Sequence, residues 1–277
     1  MLATGSPLAW LIDASSWRAG FVVLAACSAA AWLAIWRWVA EPEPAADGEA
    51  PERESIGTAM RRFAALFALP HTAGIVALAA VTYASFITVR GLWLGPLLIE
   101  RHGFSLVAAG HVAFVVSLVS MAGPPLFGRL DPGPGTRRRW LVVGTIVVAA
   151  LLGLMAANLG AGADVVVSTV FGLLSGYMVL QYADTRAAYP ASMTGRALAL
   201  FTMAMFLGVA AMQWFTGWVA ELAPMFGLDP FVATLAAIAL LLVAGALAFV
   251  ALPRPGGSQS PEEAPLRSAD QVRRPRP

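Results

Sequence analysis

Seven long apolar runs dominate the pattern of hydrophobic and polar positions along the chain. A helix that crosses a bilayer needs about 20 mostly apolar residues, and each run is continuously apolar instead of alternating with the two-residue period of a strand. The pattern therefore predicts seven transmembrane helices. These predicted spans, a to g, cover residues 19–36, 72–98, 104–128, 140–158, 165–182, 197–220 and 231–252.

A shorter apolar stretch, residues 2–12, precedes span a. As a helix it would extend only about 16 Å, too little to cross the membrane. We expect it to be the outer end of a helix that begins upstream, or alternatively a re-entrant or interfacial segment.

Composition supports an all-α membrane protein. Of the 277 residues, 58% are hydrophobic and 12% are charged, whereas an ordinary soluble domain has ~25% charged residues. The sequence contains no metal-ligand spacing, no phosphate-binding loop and no ordered catalytic set. It therefore predicts no enzyme, no cofactor and no ATP-driven pump, and the net charge of +2 gives no reason to expect nucleic acid.

Arginine placement predicts the orientation of the chain. The a–b, c–d and e–f loops and the C-terminal tail hold fifteen of the eighteen arginines, whereas the opposite loops hold only Arg18 and Arg101. Cytoplasmic loops are enriched in arginine and lysine. The bias therefore predicts a multi-pass protein of the bacterial inner membrane with a cytoplasmic C-terminus.

Two patterns predict how the helices pack. Gly91 with Gly95, and Gly172 with Gly176, have the four-residue spacing of small residues that lets helices approach closely in lipid. Two proline sites, Gly95-Pro96 in span b and Pro124-Pro125 in span c, are predicted to kink or break their helices. Ser55 is predicted to cap a short amphipathic helix before span b.

Several motifs, taken in order, resemble the C-terminal half of a major facilitator superfamily transporter. Residues 3–13 and 17–21 are similar to the end of helix 5, the outer turn and the start of helix 6. Residues 91–96 (GLWLGP) resemble a helix 7 motif, and Gly195-Arg196 with the apolar run that follows resembles the start of helix 11. The family's signature loop between helices 8 and 9 is resembled by Gly128, Asp131, Arg137 and Arg138.

The resemblance implies a fold and a division of the chain. Spans a to g would be helices 6 to 12, which form a C-terminal six-helix bundle plus helix 6, with the chain truncated at its N-terminus. The implied parts are a helix 5 remnant (1–18), helix 6 (19–38), a cytoplasmic linker (39–70), the bundle (71–252) and a disordered tail (253–277). Pro132 follows Asp131 where the family has a basic residue, so pairing of Asp131 with an arginine is left open.

Polar residues inside the spans are candidate substrate ligands, because a charge in the bilayer core is costly. Arg90 is the first candidate and implies an anionic solute; the alternative is an arginine that reaches the headgroups or pairs structurally. The other predicted cavity residues are Tyr83, Phe86, Tyr177, Gln181 and Gln213. The alternative for these is an interhelical hydrogen bond.

Two further sites are predicted from ionisable residues. His111 in span c is a candidate proton-coupling group, with a structural, hydrogen-bonded histidine as the alternative. Asp184, Arg186 and Arg196 form a candidate gate at the cytoplasmic end, or else a solvated group that marks topology.

The resemblance implies a secondary transporter that moves a small solute by alternating access. Since one bundle supplies only one wall of the cavity, a missing N-terminal half is the expected partner besides the bilayer. The alternatives are a half-transporter subunit or a non-transporting membrane scaffold, and, least favoured, a membrane enzyme.

Overall fold

The computed structural model describes residues 16–39 and 55–253 of the chain. The predicted helix 5 remnant, most of the linker and nearly all of the tail lie outside these residues. The described helices, numbered in chain order, are α1 (Trp17–Trp38), α2 (Ile56–Ala64), α3 (Thr72–Arg101), α4 (Leu106–Arg129), α5 (Pro134–Ala156), α6 (Ala161–Ala188), α7 (Thr194–Leu222) and α8 (Pro230–Ala251).

Seven of these helices are long and apolar enough to cross a membrane, and only α2 is not. The predicted all-α membrane fold is confirmed. Short turns join α3 to α8 in sequence, so successive helices run in opposite directions. The starts of α3, α5 and α7 therefore lie on one side with the ends of α4, α6 and α8, and we call this the arginine-rich side.

Helix α3 is the centre of the bundle and its most enclosed helix. It packs along α7 and α8, while α4 packs on α6, and α5 packs on α8 and α6. Helix α1 stands apart, since its apolar side chains are exposed along almost its whole length; Trp36, for example, is 75% exposed. The described bundle is therefore α3 to α8, and α1 adds little to its core.

Glycines permit the closest helix crossings, but only some of the predicted ones do so. A Cβ on Gly176 would lie 2.3 Å from the backbone of Gly123, and one on Gly172 would lie 3.1 Å from Val116, so this pair does pack closely against α4. The prediction for Gly91 and Gly95 is wrong within the described bundle, because a Cβ at either would meet nothing within 4 Å.

The prolines leave the helices unbroken. Helix α4 continues through Pro124 and Pro125 to Arg129. In α3, Pro96 lies between two π-helical turns, Val89–Trp93 and Leu97–Arg101, in which the hydrogen-bond spacing widens by one residue. Neither helix is therefore broken at its prolines, and the predicted kinks stay a prediction.

The short helix α2 begins as predicted. The Ser55 side chain accepts a hydrogen bond from the Thr58 N–H at 3.4 Å, which satisfies one of the free donors at the helix start. Its basic residues, Arg61 and Arg62, lie in the last turn, where they interact favourably with the helix dipole.

Candidate functional site

The signature-like loop on the arginine-rich side closes on its own ion pair. Arg137 donates from Nε and Nη2 to the two carboxylate oxygens of Asp131, at 3.0 and 2.6 Å. Because Pro132 follows Asp131, the basic partner is not the next residue but Arg137, six positions later. The ion pair that the sequence left open therefore forms. Gly133, with a φ of 80°, also donates its N–H to Asp131 at 3.1 Å.

This pair has a definite pH dependence. The hydrogen bond from Arg137 lowers the pKa of the Asp131 carboxyl below 3.8, its ordinary value. A carboxyl whose pKa is lowered by folding stabilises the fold above its ordinary pKa, and this contribution disappears as the pH falls through the lowered value. The pair therefore holds the loop at neutral pH.

A second cluster on the same side joins four helices. The Arg138 guanidinium lies 3.9 Å from the Phe249 ring centroid and donates to the Phe249 carbonyl oxygen at 3.0 Å. Burial, and then the charge of Arg138, lower the pKa of His71, whose ring lies 4.9 Å from that of Tyr189. Tyr189 and Thr72 share a hydrogen bond of 2.8 Å.

The predicted gate is rearranged by this cluster. Asp184 is buried on α6, 9% exposed, and the positive charges that act on it are those of Arg138 and Arg137. Arg186 is exposed instead. Asp184 therefore interacts with the arginines at the start of α5, Arg137 and Arg138. The sequence had predicted Arg186 as its partner.

An aromatic face forms where α3, α6 and α7 meet. The Tyr83 ring of α3 packs edge-on against Phe206 of α7 at 5.6 Å between centroids, and the Tyr182 ring of α6 packs edge-on against Phe201 of α7 at 4.7 Å. Tyr182 is 38% exposed and Phe206 is 59% exposed. Three helices thus present aromatic side chains on one open surface, which we call the aromatic face.

Arg90 lies two turns along α3 from Tyr83 and is half-buried. At seven residues apart, the two side chains share a helix face. Arg90 donates from Nε to the Ser117 hydroxyl of α4 at 2.7 Å, and its Nη2 also contacts that oxygen. Ser117 in turn donates to the Ala113 carbonyl oxygen, so the guanidinium is held in place but keeps further donors for a ligand.

The other predicted cavity residues lie deeper. Tyr177 is 3% exposed and shares a 2.8 Å hydrogen bond with Thr145 of α5. Gln181 is 4% exposed and donates to Thr82 of α3 at 2.9 Å. Both make the interhelical hydrogen bonds that were the alternative to a role in the cavity.

Three further predicted residues have mixed surroundings. Phe86 is buried, with its ring 5.9 Å from that of Phe171 on α6. Gln213 is half-buried on α7. His111 is exposed on α4. It therefore lies outside the interior, where the alternative, a structural hydrogen-bonded histidine, would place it.

A buried pair on the opposite side was not predicted. His102, just after α3, contacts the Asp164 carboxylate in the first turn of α6, with Nε2 and Oδ2 2.7 Å apart. The two side chains are 8% and 1% exposed. Arg101 also donates to the Met155 carbonyl oxygen at the end of α5. Polar contacts on this side therefore link α3, α5 and α6.

Tyr182 and Asp164 are the residues that sequence reasoning missed most clearly. Asp164 precedes the apolar run by one residue, so it was counted as loop. An acidic residue after a helix-starting glycine is a signal for the first helical turn. Tyr182 lies at the predicted end of span e, and no sequence signal shows that its ring packs on Phe201 of α7.

Comparison with known proteins identifies the family. The sequence profile of the Major Facilitator Superfamily matches residues 2–211. The chain is similar, at 16% identity and a TM-score of 0.50, to the crystal structure of a bacterial homologue of the human lysosomal transporter Spinster, in an inward-facing and unoccupied conformation. The match covers 85% of this chain and 57% of that chain, so the chain spans little more than half the length of this relative. No curated protein matches significantly. Because the family profile covers more than half of the sequence and the fold is a bundle of membrane-spanning helices, the chain belongs to the major facilitator superfamily.

Proposed function

We propose that the chain is the C-terminal half of a secondary transporter that moves a small anionic solute by alternating access. The observation that carries the proposal is the aromatic face with Arg90 beside it. Aromatic walls with a few fixed polar groups are typical of small-molecule sites. A guanidinium that keeps free donors suits a carboxylate or phosphate.

A second helix bundle is needed to close the substrate cavity at the aromatic face. The aromatic face is open in the described bundle, and α1 is exposed along nearly its whole length. A Cβ added to Gly91 or Gly95 would meet nothing within 4 Å, and Gly91 is exposed while Gly95 is half-buried, so a second bundle could approach α3 closely here. We propose that α1 belongs to that second bundle as helix 6, and that residues 39–70 link the two.

We further propose that the arginine-rich side is cytoplasmic and that the membrane is the bacterial inner membrane. The starts of α5 and α7 and the end of α6 carry their arginines on this side, in accord with the positive-inside rule. The Asp131–Arg137 pair and the Arg138 cluster would then lie at the cytoplasmic end of the bundle. Contacts at that end must break and re-form as a transporter alternates between its inward-open and outward-open states.

Solute uptake tests the proposal. We expect vesicles from cells that express the chain with its genomic neighbours to accumulate at least one of radiolabelled lactate, succinate, phosphate or glucose 6-phosphate, and the neutral control glucose to be excluded. We expect Arg90→Gln to raise the KM for that anion at least about tenfold, since a hydrogen bond to a charged group contributes ~1.5–3 kcal/mol.

Two variants make the uptake result specific. Arg90→Lys keeps the charge but loses the planar fork, so we expect an intermediate KM. Arg129→Gln removes an exposed arginine at the end of α4 and should leave KM unchanged. Equal KM values for the wild type and Arg90→Gln would reject an anion site at Arg90.

The second candidate function is a non-transporting membrane scaffold. The observation that favours it is the set of interhelical hydrogen bonds made by Tyr177 and Gln181, which give those polar groups a structural role. If the chain inserts and folds but vesicles accumulate none of the solutes above their level in cells lacking the gene, the scaffold is the better account.

A further inference from the structure

A deep crevice lies between α4 and α5 near the arginine-rich side. The two helices leave the loop at residues 130–133 with little direct contact, and α6 forms the wall behind them. The resulting cavity has a volume of about 470 Å³. Its walls are apolar: Phe127 comes from α4, Val143 and Val147 from α5, and Leu174 and Tyr177 from α6.

The mouth of the crevice carries charge. Arg139 lines it together with Thr136 and Trp140, and all three side chains are exposed. Arg139 also borders a second groove, of about 380 Å³, which runs along the other side of α5 toward Val250 of α8 and which Arg138 lines as well. Arg139 therefore lines both grooves.

Arg139 differs from its two neighbours in the arginine triplet. Arg137 is held by the Asp131 carboxylate, and Arg138 lies against Phe249. Arg139 forms no hydrogen bond or ion pair with any residue of the two described ranges. Its guanidinium is thus available to an anion from outside the bundle.

The depth of the crevice matches one leaflet of a membrane. Arg139 and Val147 are separated by about 12 Å along α5, at 1.5 Å per residue. Half of the hydrocarbon core of a bilayer is about 15 Å thick. A headgroup at Arg139 would therefore place its acyl chain along the apolar walls to nearly the mid-plane.

We propose that the crevice binds an anionic phospholipid, with its phosphate at Arg139, one acyl chain between α4 and α5, and the second in the groove toward α8. The guanidinium supplies two donors to phosphate oxygens, and the Trp140 indole lies at the level where aromatic residues meet headgroups. A lipid with net negative charge is favoured over a zwitterionic one because one basic residue near the surface favours it about fivefold. This site does not depend on the proposed transport function.

Lipid retention by the purified full chain tests the site. The chain is extracted in a neutral detergent, incubated with phosphatidylglycerol or phosphatidylcholine of the same chain length, and examined by native mass spectrometry. We expect one retained phosphatidylglycerol, about fivefold in excess over phosphatidylcholine. We expect soluble glycerol 3-phosphate not to displace it, since the acyl chain supplies part of the binding.

Matched variants locate the lipid. Arg139→Gln should reduce phosphatidylglycerol to the phosphatidylcholine level, whereas Arg129→Gln, an exposed arginine on the same side, should not. Val143→Trp fills the crevice and should reduce retention of both lipids while Arg139 is intact. Equal retention of the two lipids by the wild type, or equal losses in Arg139→Gln and Arg129→Gln, would overturn the proposal.

Discussion

Replacing Gly208 with leucine is expected to prevent the folded bundle from forming. A Cβ at this position would lie 2.0 Å from the Ala80 carbonyl oxygen, where α7 crosses α3. Both atoms belong to or adjoin helix backbones, so the two helices must separate along the most extensive helix–helix contact of the described bundle. Overpacking a core costs ~1–3 kcal/mol and occasionally more; since backbone must move here, we expect at least about 3 kcal/mol.

Size-exclusion chromatography of a fluorescent fusion gives the readout for Gly208→Leu. The wild type should elute as a single symmetric peak, and the variant in the void volume or at greatly reduced yield. Gly217→Leu is the control on the same helix, because a Cβ there meets nothing within 4 Å. Similar losses in both variants would mean that α7 does not cross α3 at Gly208.

Asp164→Ala is expected to give the second largest loss. The carboxylate is 1% exposed and its partner His102 is 8% exposed, with 2.7 Å between Nε2 and Oδ2. Removing the carboxylate leaves a buried imidazole nitrogen without its partner, which costs ~1–3 kcal/mol and more where a charged group is involved. We expect the melting temperature of the purified chain to fall accordingly.

Asp229→Ala is the control for the Asp164 variant. Asp229 also begins a helix on the same side, but it is exposed and only caps α8, accepting from the Val232 N–H at 2.9 Å. Losing such a cap costs ~1 kcal/mol. Equal shifts in melting temperature for the two variants would show that the His102–Asp164 contact adds nothing beyond capping.

The sequence was sufficient for the fold class because hydrophobic run length is a direct consequence of bilayer thickness. All seven spans are present, and their ends differ from the predicted ones by a few residues at most sites; α3 is longer because its π-helical turns carry it past Leu98 to Arg101. The motifs of the signature-like loop also led to the correct family.

The candidate site was less predictable because it depends on which helices meet. Tyr83 and Arg90 share a face by helical period alone, so their common side was foreseeable. That Tyr182 packs on Phe201 of α7, and that Asp184 lies near the charge of Arg138, depends on how α6 crosses α7 and α5, which no local pattern encodes. The error at Gly91 and Gly95 has the same origin, because the spacing of small residues shows that another helix could approach closely there but not that one does.

If the aromatic face lines an aqueous cavity between two bundles, as we propose, its side chains should be accessible to water-soluble reagents. Reaction of single cysteines with a membrane-impermeant maleimide tests this without knowledge of the solute. The chain carries Cys27→Ser, because the native thiol is exposed on α1, and is expressed in its own host membranes. Phe206→Cys probes the face, and Leu240→Cys is the control.

These two positions are matched in depth and exposure. Phe206 is ~18 Å from the start of α7 and Leu240 is ~16 Å from the end of α8, both measured from the arginine-rich side, and the side chains are 59% and 69% exposed. A thiol in hydrocarbon stays protonated and unreactive, whereas one in water reacts as the thiolate. We predict that Phe206→Cys is labelled at least tenfold faster than Leu240→Cys. Equally slow labelling of both would place the aromatic face against lipid and contradict the transporter cavity.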